Sequence, residues 1–255
     1  MPPPRPVAIR SARAAPQFQR VRLCLRPDLR EANPGNRFRA PACPSLVDLT
    51  DWKKGGPRCR NDYPMSADFP YRTRRTIKPP HMDSSREIAH ELLVEILEDA
   101  HWAPTHGLTQ PWRFHVFTGQ ARARLAAALQ TLYDQITPVT EVRPEKRAKL
   151  GENCLQAPVV VAIAAHSEPG GKISRLDELC STACAVQNLL LSAHQRGLGS
   201  FWATPPVACS QEFTTWLGLD STHCSLGLVF LGYANDSPAP SIRVPLEKRI
   251  TFHRT

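Results

Sequence analysis

Residues 101 to 114 read HWAPTHGLTQPWRF and connect a helical pattern to an alternating, strand-like pattern. A connection held between two regular elements is a common place for binding groups. Pro104 and Pro111 fix their own φ, and each should push the residue before it, Ala103 or Gln110, toward an extended conformation. The segment also carries two imidazoles, an amide, hydroxyls and two indoles, a set suited to a flat heteroaromatic molecule with polar edges. The same residues would equally suit a plain connection whose tryptophans are core.

The flanking patterns predict an alternation of helices and strands. Ser84 and Glu87 have the spacing of a capping box, and the apolar residues after them predict a helix to about Ala100. Ser210 is a candidate cap for a short later helix. The charged stretch 136–151 is expected to be a mobile surface excursion with room for a short helix. Strands are predicted at 112–117, 158–165, 200–203 and 224–233, and further helices at 119–135, 176–196 and 210–218.

Burial is predicted for two of these elements. The run 158–165 is continuously apolar and is expected to be a strand covered on both sides, although so short a run would also suit a buried helix segment. The helix at 176–196 is mostly apolar, ends at glycines, and is expected to be buried on most of its surface. Cys180 and Cys184 share a face of this helix and are expected to be buried small side chains, with no metal site.

The positive charge of the chain is concentrated in its first quarter. Residues 1–64 hold 13 Lys and Arg against 5 Asp and Glu, together with 11 of the 25 prolines, whereas the remaining residues hold 19 against 18. Such a segment is not expected to fold by burial. It could be an organelle-targeting segment, a basic arm for nucleic acid, or sequence upstream of a true start at Met65, and the last is favoured. The folded domain is therefore predicted at 65–255.

Other protein classes find little support in the sequence. No apolar run approaches the ~18 residues of a membrane span, so we expect a cytoplasmic protein. The eight cysteines include no C-x-x-C pair and are expected to be free thiols. The phosphate-binding glycine loops, the nucleophile elbow and the H-E-x-x-H zinc motif are missing from the sequence.

Four separated segments form a recognisable series. They are Arg74-Arg75-Thr76, the pair Ala103-Pro104-Thr105 and Gln110-Pro111-Trp112, the run from Gly197 to Thr204, and Arg243-Val244-Pro245-Leu246-Glu247. In this order the series resembles the FMN-dependent nitroreductase family, especially its small single-domain branch. The resemblance implies an α+β fold with a mixed, mostly antiparallel sheet flanked by helices, in an intertwined homodimer with two shared FMN sites. The order of elements alone would also allow a parallel α/β fold.

The resemblance also implies a set of binding residues. It places Arg74, Arg75 and Thr76 at the FMN phosphate and ribityl end, with Arg243 as a further candidate for the phosphate. Trp102, His106 and Gln110 would reach the flavin from the other subunit. Residues Trp202, Ala203 and Thr204 would lie along the ring, and Ser192 to Gly197 would take part in nicotinamide binding. Trp102 and Ala203 occupy positions where this branch often has arginine, which leaves the substrate preference open.

The expected activity follows from the resemblance. It is the reduction of nitroaromatics, quinones or similar small-molecule electron acceptors, with FMN as cofactor, NADH or NADPH as co-substrate, and hydride transfer through flavin N5. No catalytic side chain is required; His106 could donate a proton or simply make a structural hydrogen bond. The alternatives are a dehalogenase or flavin-cleaving enzyme of the same fold, and a basic nucleic-acid-binding protein.

Overall fold

The computed structural model describes residues 70–238 and 241–253 of the chain. The predicted extension 1–64 and the boundary at Met65 lie outside these residues. The helices are α1 Pro70–Thr73, α2 His90–His101, α3 Ala121–Ile136, α4 Pro144–Gln156, α5 Arg175–Gln195 and α6 Gln211–Trp216. The strands are β1 Trp112–Thr118, β2 Val159–His166, β3 Gly199–Ala203 and β4 His223–Gly232.

The four strands form one sheet in the order β1-β2-β4-β3, and every neighbouring pair is antiparallel. A parallel bridge between Thr76 and Ser200 adds the segment after α1 to the outer edge of β3. This arrangement confirms the predicted α+β class and its mostly antiparallel sheet. It excludes the parallel α/β alternative.

Helices cover both faces of the sheet. On one face, α3, α4 and α6 pack over a core that includes Leu129 and Phe213. On the other face, α2 and α5 enclose a second core around Ile96 and Leu189. Strand β2 is buried along nearly its whole length, which confirms the prediction of a strand covered on both sides.

Most element boundaries agree with the sequence predictions. The four strands and the helices α3, α5 and α6 begin and end within two residues of the predicted positions. Ser210 caps α6 as predicted, because its hydroxyl oxygen accepts a hydrogen bond from the N–H of Phe213.

The predicted capping box at Ser84 and Glu87 is wrong. Helix α2 begins at His90, and its N-cap residue Ala89 makes no side-chain hydrogen bond to the helix. Upstream, both the N–H and the hydroxyl of Ser85 donate to the carboxylate of Asp83. A side chain that satisfies local backbone donors in this way competes with helix formation, so the chain turns before it enters α2.

The charged stretch 136–151 is also more ordered than predicted. It leads into α4, a helix of 13 residues packed on α3. Pro144 stands in the first turn, where its missing N–H costs no hydrogen bond. Arg147 pairs with Asp134 of α3 at 2.8 Å. Gly151 faces α3, and a Cβ there would lie 2.7 Å from Nε2 of the Gln130 side chain.

Helix α5 is less covered than predicted. The side toward the sheet and α2 is buried, but the opposite side is exposed and carries Leu176, Cys180 and Cys184. The prediction that both cysteines are buried is therefore wrong in the single chain. Their four-residue spacing places them on one face, and no element among residues 70–238 and 241–253 covers that face. Although α5 has 21 residues, neither it nor any other helix within the described ranges is suited to cross a bilayer.

Candidate functional site

The segment Arg74-Arg75-Thr76 lies along the first residues of β3. The N–H of Ile77 donates to the carbonyl oxygen of Ser200 at 3.0 Å. The N–H of Arg74 donates back to the carbonyl oxygen of Pro70 at 2.8 Å. The two arginines therefore leave the single turn of α1 at a fixed point beside the edge of the sheet.

Four basic side chains come together at this point. Burial, followed by the charges of Arg243 and Arg75, lowers the pKa of Arg74. His194, in the last turn of α5, lies with its Nε2 2.8 Å from the hydroxyl oxygen of Thr73. Burial, followed by the charges of Arg74 and Arg75, lowers the pKa of His194. The predicted phosphate residues Arg74, Arg75 and Arg243 thus lie near one another within a single chain.

This cationic cluster has no carboxylate to balance it. Within the described residues, none of its three arginines forms an ion pair with an Asp or Glu. Arg75 donates to the backbone carbonyls of Arg72 and Arg74, and Arg243 donates to the carbonyl of Ile242. Guanidinium groups without acidic partners are well suited to binding a phosphate.

The end of β3 carries the predicted ring-contact segment. The indole N–H of Trp202 donates to the carbonyl oxygen of Leu226 at 2.8 Å, which fixes the indole against β4. Gly227 lies in a bulge of β4, where φ is 94°. A Cβ at Gly227 would lie 2.3 Å from the carbonyl oxygen of Ala203. The two strands therefore approach backbone to backbone, and this contact determines where Ala203 and the exposed Thr204 lie.

The connection from Trp102 to Gln110 is tightly bent. Leu108 has φ 58° and Gln110 has φ 48°, so both residues occupy the left-handed region. The prediction of an extended Gln110 is therefore wrong. The N–H of Gln110 donates to the hydroxyl oxygen of Thr105 at 3.0 Å, and the hydroxyl of Thr109 donates to the buried carboxylate of Glu178 at 2.7 Å. These hydrogen bonds outweigh the bias that the following proline imposes.

The side chains of this connection that were predicted to reach a flavin extend into solvent. Trp102 is 79% exposed. Gln110 is exposed beside a shallow hollow of about 400 Å³. The Nδ1 atom of His106 lies 3.4 Å from a carboxylate oxygen of Asp177 at the start of α5. Hydrogen bonds from Ser174 and then from His106 lower the pKa of Asp177.

The second tryptophan of the connection has a different role. Trp112 is 5% exposed, and its indole N–H donates to Nδ1 of His101 at 3.0 Å. The plain reading of a core tryptophan therefore holds for Trp112 but not for Trp102.

His106 and the cationic cluster lie at opposite ends of α5, whereas Trp102 lies beside the middle of the helix. His106 contacts Asp177 in the first turn, and Thr73, which precedes Arg74, contacts His194 in the last turn. At a rise of 1.5 Å per residue, positions 177 and 194 are about 25 Å apart along the helix axis. The fold therefore brings Arg74, Arg75 and Arg243 together, but it does not bring them to His106 and Gln110 of the same chain.

The residues predicted for nicotinamide binding have clear structural roles. Ser192 is 3% exposed, and its hydroxyl donates to the carboxylate of Asp99 at 2.7 Å. The guanidinium of Arg196 donates to both groups, which ties α5 to α2. Gly197 has φ 77° and ends α5, as expected for the residue that follows a helix C-cap.

Sequence reasoning placed His194 within the range from Ser192 to Gly197 predicted for nicotinamide binding, but it missed the position of this residue beside the arginines. The residue belongs to none of the four segments quoted above, and its contact with Thr73 joins positions 121 residues apart. The available signal was a histidine in the last turn of the helix that Gly197 terminates, a position where a basic side chain is favoured. That signal indicates a helix end but not the arginines beside it.

Comparisons with known proteins agree with this fold. The nitroreductase family model matches residues 71–233. YfhC of Bacillus subtilis (strain 168), which carries a provisional name as an NAD(P)H nitroreductase, is 24% identical over 181 residues that cover 71% of this chain and 90% of the relative.

Two solved structures share the architecture. The nitroreductase-like family protein from Bacillus cereus superposes with a TM-score of 0.61 at 25% identity, covering 72% of this chain and 94% of that protein. The FMN- and NADPH-dependent nitroreductase NfnB from Sphigopyxis sp. strain HMH gives a TM-score of 0.59 at 19% identity, covering 75% of this chain and 100% of that protein. With a family model that spans most of its length and a matching fold, this chain belongs to the nitroreductase family.

Proposed function

We propose that this chain is an FMN-dependent NAD(P)H oxidoreductase that reduces nitroaromatics, quinones or similar small electron acceptors. The observation that carries the proposal is the cluster of Arg74, Arg75 and Arg243 beside β3, which has no carboxylate partner among the described residues. The provisional name of YfhC supports the reaction class, and the FMN and NADPH dependence of NfnB supports the cofactor and the co-substrate.

The residues at this end of β3 fit FMN. Its phosphate carries nearly two negative charges at neutral pH, which three guanidinium groups can balance. The hydroxyl of Ser200 is buried without a hydrogen-bond partner, and Ser200 pairs with Thr76. Buried polar groups without partners are rare in native proteins, so this hydroxyl supports a polar ligand close to Thr76.

Bound FMN would carry out the electron transfer, and the residues of the chain would bind and position it. Bound FMN supplies hydride acceptance from NAD(P)H and electron donation to the second substrate. Arg74, Arg75 and Arg243 would hold the phosphate, and Trp202 to Thr204 would flank the ring. A bound phosphate beside His194 favours the protonated imidazole, so FMN binding takes up a proton there. No nucleophile or metal is assigned to this site.

A second copy of the chain would complete the site. Within one chain, His106 and Gln110 lie near the first turn of α5, about 25 Å along the helix from the cationic cluster, and Trp102 lies beside the middle of the helix. In a two-fold dimer whose α5 helices run antiparallel, the first turn of each α5 lies beside the last turn of the other. That pairing would bring these three side chains of one protomer to the arginines of its partner.

Exposed apolar side chains support this pairing. Trp102, Leu108 and Leu176 are 79%, 80% and 68% exposed, and Leu176 shares the uncovered face of α5 with Cys180 and Cys184. The tail adds Ile242, Val244, Leu246 and Phe252, all more than half exposed. Apolar surface of this extent commonly marks a protein interface.

Absorbance spectroscopy tests the cofactor directly. The full chain, incubated with FMN and separated from free flavin, should keep the visible flavin absorbance and oxidise NADH or NADPH when a quinone or nitroaromatic is added. Arg74→Gln together with Arg75→Gln should raise the FMN Kd by about 100-fold or more, since each of the two lost charge-assisted hydrogen bonds contributes about 1.5 to 3 kcal/mol. Arg124→Gln, an exposed residue of α3, is the matched control. A protein that retains no flavin after this treatment contradicts the proposal.

A further inference from the structure

A large cavity lies beside the proposed ring-contact segment. It encloses about 820 Å³ between β3, α3 and α4, which is within the range of small-molecule sites. Its walls are mainly apolar and aromatic. They include Tyr133, Ile136, Leu150, Phe201, Leu228 and Phe230.

The same cavity is bordered by positive charge. Lys78, Lys146 and Lys149 line it together with a single acidic residue, Glu141, which leaves a net charge of about +2 from fully ionised side chains. Within the described residues, none of the three lysines forms an ion pair.

The neighbouring basic residue of α4 is different. Arg147 lies between Lys146 and Lys149 in sequence, yet it does not line the cavity and is paired with Asp134. The basic side chains of α4 that form no ion pair with the described residues are therefore the two lysines that line the cavity, and they remain available to an anion.

The cavity also adjoins the proposed redox site. Ala203 and Thr204, part of the segment proposed to flank the flavin ring, belong to its lining. A molecule held between the apolar walls and the lysines would therefore lie next to that segment, where electrons would be delivered.

We propose that this cavity binds the electron acceptor, and that the preferred acceptors have an extended aromatic body and a carboxylate or another anionic group. The apolar walls would receive the aromatic body, and Lys146 and Lys149 would attract the anion. This inference rests on the proposed oxidoreductase function. It adds a preference for anionic over neutral acceptors.

A matched pair of acceptors tests the preference. In 4′-nitrobiphenyl-4-carboxylate and its carboxamide, the changed group lies one ring away from the nitro group, so the two differ mainly in charge. The wild-type, FMN-loaded protein should show about tenfold higher kcat/KM for the carboxylate than for the carboxamide. The double variant Lys146→Gln, Lys149→Gln should reduce this ratio of kcat/KM values to about one to two, because each exposed charge contributes about two- to fivefold. The change should appear in KM rather than in kcat. Lys172→Gln, an exposed lysine that does not line the cavity, should leave the ratio unchanged.

A binding measurement separates this inference from the proposed function. Biphenyl-4-carboxylate cannot accept electrons, and calorimetry on the flavin-free and the FMN-loaded protein reports its affinity without turnover. A Kd that rises about tenfold in the double lysine variant, and less so at high salt, supports the anion site even if no acceptor is reduced.

Two results would overturn the inference. The first is equal kcat/KM for the two acceptors in the wild type. The second is displacement of biphenyl-4-carboxylate by FMN, since the cavity would then belong to the flavin itself. Failure to retain FMN or to oxidise NAD(P)H with any acceptor would count against the proposed function and not against the anion site.

Discussion

Replacement of Gly227 by alanine should distort the end of β3. Gly227 has φ 94°, and an added Cβ would lie 2.3 Å from the carbonyl oxygen of Ala203 and 3.2 Å from Cα of Thr204. Real Cβ atoms do not approach another atom closer than 3.0 Å, so the strands must separate by about 0.7 Å or more. The atoms on the other side of this contact are backbone, which cannot rotate away.

The cost of this change has two parts. An alanine in the left-handed region costs about 1 to 2 kcal/mol, and overpacking a tight contact costs about 1 to 3 kcal/mol. Together they predict a loss of about 2 to 5 kcal/mol in the free energy of unfolding. For a domain of this size, each kcal/mol lowers Tm by about 2 to 4 °C, so Tm should fall by about 4 to 20 °C.

A second glycine separates the two parts. Gly218 has φ 79°, but no atom lies within 4 Å of an added Cβ. Gly218→Ala should therefore show only the conformational cost of about 1 to 2 kcal/mol. Thermal unfolding of the full chain, followed by circular dichroism, gives both values under the same conditions. Equal losses in Tm for the two variants would refute the close approach of β4 to Ala203.

The same variant also tests the proposed ring-contact segment. If Trp202 to Thr204 flank the flavin, a shift of these backbones in Gly227→Ala should weaken FMN binding, measured by fluorescence titration well below Tm. Gly218→Ala should bind FMN normally, because Gly218 follows α6 and a Cβ added there would meet no atom within 4 Å. Unchanged FMN affinity in a clearly destabilised Gly227→Ala protein would refute the assignment of the segment to the ring.

Three further predictions concern α5. Ser192→Ala should lower the free energy of unfolding by about 1 to 3 kcal/mol, because it leaves the buried contacts to Asp99 and Arg196 incomplete, and should leave KM for NADH or NADPH within about twofold; a large rise in that KM with normal stability would instead support direct nicotinamide contact. His194 has a lowered pKa in the folded chain, so the flavin-free protein should lose stability as pH falls below about 6.5. Because a bound phosphate favours the protonated imidazole, the FMN affinity of the wild type relative to His194→Gln should rise between pH 8 and 6. Parallel pH profiles of FMN affinity for the two proteins would contradict this. Cys184→Arg should convert a dimer to a monomer in light scattering and weaken FMN binding about tenfold or more, whereas Glu152→Arg on the exposed side of α4 should do neither.

Elements governed by local rules were predictable from the sequence. The hydroxyl of Ser210 caps α6, and Gly197 ends α5 with a positive φ, because each rule involves residues only a few positions apart. The long apolar run of β2 likewise indicated a strand covered on both faces. A strand with one face in water would alternate apolar and polar residues, whereas β2 is buried at seven successive positions.

Features that depend on distant partners were not predictable in this way. Pro111 favours an extended Gln110, but Thr109 is held by Glu178 of α5, 69 positions away, and Gln110 turns into the left-handed region. The four-residue spacing of Cys180 and Cys184 shows that they share a face but not whether that face is covered. His194 fell within the range predicted for nicotinamide binding, but only its contact with Thr73 places it beside the arginines. In each case the local structure or exposure depends on a residue that is distant in sequence and is brought close only by the fold.

The strain in the connection before β1 supports a role beyond the single chain. Leu108 and Gln110 each hold a left-handed conformation that costs about 1 to 2 kcal/mol, and the side chain of Leu108 is 80% exposed. A connection that served only to join α2 to β1 could avoid this cost with glycine or asparagine at these positions. Strained residues that persist on a surface commonly mark binding segments, and here the hydrogen bonds from Thr109 and His106 hold the strained turn against the first turn of α5. The same turn presents Gln110 outward, at the end of α5 that an antiparallel two-fold pairing would bring to the partner's cationic cluster. The strain therefore has a physical reason if the connection is shaped for a second copy of the chain.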